Sequence, residues 1–333
     1  MTQTALGARP AGRGFSLDLR ALSPFIALAV LIVVGALVNP DFLTPSNLLN
    51  VVTRSAFIAI IAVGATFVIA GGGLDLSVGS MAAFIAGVMI LTLNKVGTPD
   101  ATTLAVGLLT ALGLGIACGL ANGLIVTFGR IEPFIVTLGT MGIFRALVIY
   151  LAAGGTITMR NLELRELYRP VYFGNLFGIP IPIIVFVAVA AVAALILYKT
   201  AFGRHVVALG SNEDVARYSG VSIGRVRTLT YVIQGVCVGI AVLVYVPRLG
   251  SATPTTGLLW ELQAITAVVI GGTALRGGIG RVWGTVVGAV ILELVANIMV
   301  LSNFVSEFLV GAVQGAIIII AMLVQRSLQR GGG

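Results

Sequence analysis

Charge is the first thing this chain is short of. Of its 333 residues only 10% are charged, where ordinary globular domains carry about 25%. So few charges cannot clothe a soluble core in a sequence that is 58% hydrophobic with a mean hydropathy of +1.09. Histidine is nearly absent: His205 stands alone, beside Arg204 in a polar stretch. The two cysteines, Cys118 and Cys237, lie inside apolar runs, where a thiol acts as a small hydrophobe. These scarcities exclude a disulfide framework, a His/Cys metal cluster and a Ser-His-Asp hydrolase. Neither HExxH nor GxxxxGK[ST] occurs, which excludes zinc proteolysis and ATP binding through a P-loop. An intramembrane aspartyl protease would need two carboxylates at one depth, and only Asp75 offers itself. No cofactor is called for.

What is present is apolar sequence in lengths that cross a membrane. Runs of about 17–25 residues mark candidate spans. They fall near 21–38, 51–71, 77–94, 101–128, 134–153, 181–199, 228–247, 261–275, 282–301 and 305–324, the eighth being short and weak. The expected fold class is therefore all-α, a polytopic integral membrane protein of about ten transmembrane helices with both termini cytoplasmic. The first run is long for a signal peptide and is followed by further spans, so it reads as a transmembrane helix. Of the 20 lysines and arginines, Arg54, Lys95, Arg160, Arg165, Arg169 and Arg248 fall outside, Arg145 falls within a run, and the other thirteen fall inside. That asymmetry supports the orientation, and it explains the net charge of +8 without nucleic acid. The expected organisation is a cytoplasmic segment 1–20, a transmembrane domain 21–325 with an outer loop 154–180 and an inner loop 200–227, and a cytoplasmic tail 326–333.

Three polar features interrupt the apolar pattern. In AGGGLDLSVGS, Asp75 sits between two apolar runs. A carboxylate within reach of hydrocarbon is a functional position by default. The plainer reading is that Asp75 or Ser77 caps a helix beginning near Val78 after Gly71–Gly73 end the previous one. Asp75, Ser77 and Asn122 are the candidate residues of a translocation path, and Arg145 and Glu293 are a candidate interhelical pair. A second glycine-rich break, GGTALRGGIGRVWG at 271–284, faintly echoes 71–84, and such interrupted segments are where transporters often place substrate contacts. The remaining glycines, among them Gly107, Gly113, Gly115, Gly119 and Gly123, suit close helix packing. The third feature is the inner loop, with Ser211 as expected N-cap, Asp214 three residues on and Gly220 as the stop of a helix of about two turns. A helix so short needs a surface to lie against: the membrane, the protein's own helix ends or a cytoplasmic partner.

The stretches ALGSNEDVARYSGVSIGRV, AGGGLDLSVGS and ELQAITAVVIGGTALRGGIGRVWGTVVGAVIL resemble the permease subunits of bacterial ABC importers for ribose, xylose and related sugars. The resemblance runs from about residue 40 to about 325. It implies a bacterial inner-membrane subunit, itself no enzyme, that forms the path for a monosaccharide or related small polar solute. The implied partners are an ABC ATPase subunit, a periplasmic sugar-binding protein and a second permease subunit, identical or homologous, all within membrane lipid. It also implies that the helix at 211–220 is the coupling helix seated on the ATPase, with Ser211, Asn212, Glu213, Asp214, Ala216 and Gly220 in its pattern. The rival reading is an ion-coupled secondary transporter, in which Asp75 would carry the coupling proton or sodium. Sparse intramembrane charge and the capped inner helix weigh against it.

Overall fold

A computed structural model describes residues 19–302 without a break, and a few positions between 309 and 319. Most of the expected N-terminal segment, most of the tenth run at 305–324 and the tail 326–333 lie outside the described residues.

Prolines and glycines punctuate the helices. Pro45 and Pro133 open α2 (Pro45–Ala70) and α5 (Pro133–Leu151), where the missing N–H is not needed. Before them, α1 (Leu19–Val38) leads into a short 3-10 turn at Pro40–Leu43. Gly97, at φ 74°, ends α3 (Val78–Val96). Asp100 then caps α4 (Ala101–Gly129) by accepting from Thr103 N at 2.8 Å. The loop 154–180, expected on the outer side, holds α6 (Leu162–Tyr168) and α7 (Pro170–Phe173). After it come α8 (Ile181–Lys199), α9 (Ala201–Ser211), α10 (Glu213–Tyr218), α11 (Ile223–Leu249), α12 (Trp260–Ile270) and α13 (Val282–Ser302). Strand content is slight: β1 (Ile157–Thr158) pairs antiparallel with β4 (Ser251–Ala252), and β2 (Asn175–Leu176) with β3 (Ile179–Pro180).

Among the described residues, seven helices are long and apolar enough to cross a membrane: α2, α3, α4, α5, α8, α11 and α13. The weak eighth run differs from expectation. Its helix, α12, has 11 residues, about 16 Å of rise against about 30 Å of hydrocarbon, and does not cross alone.

The centre of the bundle is α2, whose residues from Ser55 to Ala70 are buried all round apart from Phe57. A helix with no polar face belongs in such a position. Against it lies α11, which in turn meets α4 backbone to backbone. A Cβ on Gly119 would come within 2.2 Å of the Tyr231 carbonyl, and Gly115 and Gly235 oppose each other just as closely. Gly113, on the same helix, touches nothing within 4 Å, so the glycines of this run do not all serve packing. Outward, α4 and α8 present Leu109, Phe128, Val192 and Leu195 as exposed apolar surface of the kind lipid covers.

Irregular backbone enters the bundle between β4 and α12. Gly257, at φ 72°, lies against Gly79 in the first turn of α3. Such backbone survives inside a membrane only where the protein satisfies it. Arg145 of α5 does so, donating to the carbonyls of Pro254 and, at 2.8 Å, Thr256. The expected Arg145–Glu293 pair is therefore corrected: the guanidinium serves loop carbonyls. Glu293 is in none of the ion pairs among the described residues.

Candidate functional site

The three translocation-path candidates come together. Helix α2 ends on Gly71, and Gly72 at φ 81° turns the chain, with Gly73 N donating to Val68 O at 2.8 Å. The next residues run without helix to Val78. Asp75 is 5% exposed, and its Oδ1 accepts from Ser77 N at 2.9 Å and Ser77 Oγ at 2.6 Å. Asn122 Nδ2 of α4 donates to the same Ser77 Oγ at 2.8 Å. Thus Asp75, rather than Ser77, supplies the side-chain acceptor at the start of α3, while Ser77 makes no side-chain cap bond.

This segment is not at the surface. Tyr231 of α11 and Thr137 of α5 both donate to the Leu74 carbonyl at 3.3 Å. Asn122 lies seven residues before the end of α4, and Tyr231 eight after the start of α11, so the break sits about 10–12 Å in from those helix ends.

The second glycine break repeats the ending of the first. Gly272, at φ 83°, donates to Val269 O at 2.9 Å and Thr273 to Val268 O at 3.2 Å, as Gly72 and Gly73 do to Ile69 and Val68. The two breaks meet: Gly278 N donates to Ala70 O at 2.9 Å, and Gly277 packs on Gly72 and Gly210. Gly210 belongs to α9, and a Cβ there would lie 1.9 Å from the Ala70 carbonyl. Sequence reading did not single out this junction, although glycine doublets at both breaks were its signal.

In the inner loop the expected helix start is corrected by one residue. Ser211 ends α9, its Oγ donating back to Val207 O at 2.8 Å. The extended residue is Asn212, whose side chain accepts from Val215 N at 3.0 Å and caps α10. Gly220, at φ 81°, forms the stop, with Val221 N returning to Ala216 O at 3.1 Å. Ala216 faces inward and packs with Val206, Leu209, Ile223 and Val226. Val215 and Tyr218 face out, 60% and 91% exposed, and Asp214 is exposed beside them. Glu213 accepts from Arg217 at 2.7 Å and from Arg227. Burial opposes its charged form, but the bonds and charges of Arg227 and Arg217 outweigh burial and hold its carboxyl below the ordinary value. A cavity of about 770 Å³ opens beside α10, lined by Arg130, Glu132, Arg217 and Arg227 among others.

A cluster that sequence reading missed lies farther along α2. Phe57, Tyr245 and Trp260 bring their ring centroids within 4.8–5.2 Å of one another. They come from three helices with no shared periodicity, so no local signal marks them. Among the described residues no group of three His, Cys, Asp or Glu could hold a metal ion.

Residues 47–322 match the family model described as branched-chain amino acid transport system / permease component. The chain belongs to this permease family. Its relatives include the ribose import permease protein RbsC of Haemophilus influenzae. To that protein this permease is 38% identical over 304 residues, 91% of this chain and 92% of the relative. RbsC of Bacillus subtilis is 37% identical over 312 residues, 92% and 93% of the two chains. The L-arabinose transport system permease protein AraH of Escherichia coli is 33% identical over 313 residues, 92% and 90%. The match takes in Asp75, both glycine breaks and the inner loop.

Proposed function

We propose that this permease is the membrane subunit of an ATP-driven importer of a monosaccharide. The observation that carries this reading is full-length similarity to ribose and arabinose permeases, at 33–38% identity over nine-tenths of the chain. The family description speaks of branched-chain amino acids, but the relatives matched over the whole chain are named for sugars. A D-allose permease of Escherichia coli at 30% identity adds to them. In this reading the chain crosses the bacterial inner membrane about ten times with both termini inside. It pairs with a second permease subunit and receives its sugar from a periplasmic binding protein.

The coupling role belongs to α10. Its cap Asn212, its stop Gly220 and the Glu213–Arg227 contact hold six residues in a helix too short to stand alone. Ala216 anchors it to α9, leaving Asp214, Val215 and Tyr218 for the ATPase. A push on α10 passes through α9 to Gly210, and from there to Ala70 and Gly278, where the two glycine breaks meet. Asp75, Ser77 and Asn122 hold the start of α3 in register with that junction. An ion-coupled transporter is disfavoured because Asp75 is almost wholly enclosed and already engaged with Ser77.

The test is copurification. Affinity-purified chain should carry an ATPase subunit, and Tyr218→Asp with Val215→Asp should release it without lowering membrane levels. Retention of the ATPase by that double variant would refute the docking assignment.

A further inference from the structure

The half-helix α12 begins inside the bundle, beside two cavities that the coupling machinery does not use. One, of about 290 Å³, lies under the loop that follows α11 and is lined by Tyr245, Thr253, Thr255, Thr256 and Trp260. The other, of about 170 Å³, lies between α2, α12 and α13 and is lined by Ser55, Phe57, Trp260, Gln263 and Glu293. Trp260 borders both, while Tyr245, in contact with it, lines the larger cavity and Phe57, also in contact with it, lines the smaller.

Three independent features give this place a ligand chemistry. Glu293 sits midway along α13, half-buried, and forms no ion pair among the described residues. An ionisable group at such a depth faces a wet cavity or a partner group, not lipid. Next, the Thr253 hydroxyl lies 3.0 Å from that of Thr255 and 3.1 Å from that of Thr256 at the wall of the larger cavity. Each hydroxyl can donate once and accept twice, so the group keeps capacity for a guest. Last, Trp260 and its two neighbours are aromatic. A sugar ring has a face of C–H groups, which lies on an aromatic ring, and a rim of hydroxyls, which needs acceptors and donors around it. Small-molecule sites combine such an apolar wall with a few placed polar groups. Discontinuous helices are also where membrane transporters place their solutes.

We propose that Trp260, Tyr245 and Phe57, with Glu293 on one side and the Thr253–Thr256 hydroxyls on the other, form the membrane-depth monosaccharide site of this permease. The ligand class is a neutral polyhydroxylated ring. It rests first against the threonines and passes the aromatic cluster into the Glu293 cavity. Glu293 accepts hydrogen bonds from the hydroxyls and needs no cationic partner. Asp75 takes no part in this contact. The proposal rests on the sugar-import reading above and assigns the contact residues within it.

The test uses the complete importer in vesicles, with its ATPase and binding protein, and radiolabelled ribose, allose and arabinose as probes. Sugar moved per ATP hydrolysed is read for Glu293→Gln, Glu293→Leu, Trp260→Phe and Trp260→Leu. A hydrogen bond to a charged group or a stacked ring is worth about tenfold or more in affinity. Both leucine variants should therefore lose about tenfold or more. Glu293→Gln, which still accepts, and Trp260→Phe, which still offers a ring, should stay within about threefold of the parent. Leucine variants that move sugar as well as the parent would overturn the proposal. An equal loss in all four variants would overturn it too, since that marks a structural role. Failure of the parent protein to import any probe with ATP would instead overturn the sugar-import reading itself.

Discussion

Replacing Asp75 separates shape from charge at the buried break. Its Oδ1 takes two hydrogen bonds from Ser77, one from the backbone N–H at 2.9 Å and one from the hydroxyl at 2.6 Å. Its Oδ2 has no hydrogen-bond partner among the described residues. Asp75→Asn keeps the accepting oxygen in place and removes none of these bonds. Asp75→Leu leaves the Ser77 N–H, which is fully buried, without an acceptor. An unsatisfied buried donor costs about 1–3 kcal/mol, which is roughly 5- to 150-fold between a formed and a frayed start of α3. The hydroxyl of Ser77 still accepts from Asn122 at 2.8 Å, so the damage stays at the first turn. ATP-dependent sugar uptake, measured at matched membrane levels, should be near normal in the asparagine form and strongly reduced in the leucine form. Equal loss in both would show that the negative charge itself is required and would refute the capping role.

Gly220 adopts φ 81° with nothing within 4 Å of a would-be Cβ, so the cost of Gly220→Val is conformational, about 1–2 kcal/mol; faster hydrogen exchange across α10 should report it, while Gly220→Asn should exchange nearly as the parent does. Gly235→Leu drives a side chain into the Gly115 carbonyl, 2.0 Å from the Cβ position, and should sharply lower detergent thermal stability, with Gly113→Ala neutral as the control. Glu213, with its folded value held below 4.5, contributes stability that is present above that value and lost as the pH falls through the folded value. Glu213→Gln should therefore loosen α10 equally at pH 6 and pH 8 by hydrogen exchange, by less than about 1 kcal/mol for so exposed a contact, and a difference that grows between those two values would contradict the assignment.

The spans were legible because membrane length and unbroken hydropathy are local properties. The runs at 51–71, 101–128 and 181–199 match α2, α4 and α8 to within a few residues, α2 starting earlier. Gly220 was legible too, since a positive φ at a helix stop is written in one residue. What was hidden depends on partners far along the chain. Arg145 was read against Glu293, but carbonyls 109 and 111 residues away hold it, and carbonyls leave no trace in sequence. Ser211 and Asn212 are both good caps, and only the length of α9 decides between them. α9 itself went unread because its longest apolar run, Val206–Leu209, is only four residues and is bounded by Arg204, His205 and Gly210. The run at 261–275 looked like a weak span because its apolar residues continue past Gly271 and Gly272, where the helix has already ended. Asp75, Ser77 and Asn122 were each visible as polar residues in apolar surroundings; that a single hydroxyl joins them was not.

In the proposed importer, ATP hydrolysis on a partner drives sugar through this chain. Vesicles holding the permease with its ATPase, supplied with binding protein and a labelled pentose, test it directly. Uptake should require ATP inside the compartment that holds the ATPase and should be indifferent to collapse of proton and sodium gradients. Accumulation by the permease alone under an ion gradient, with no ATPase present, would contradict the account.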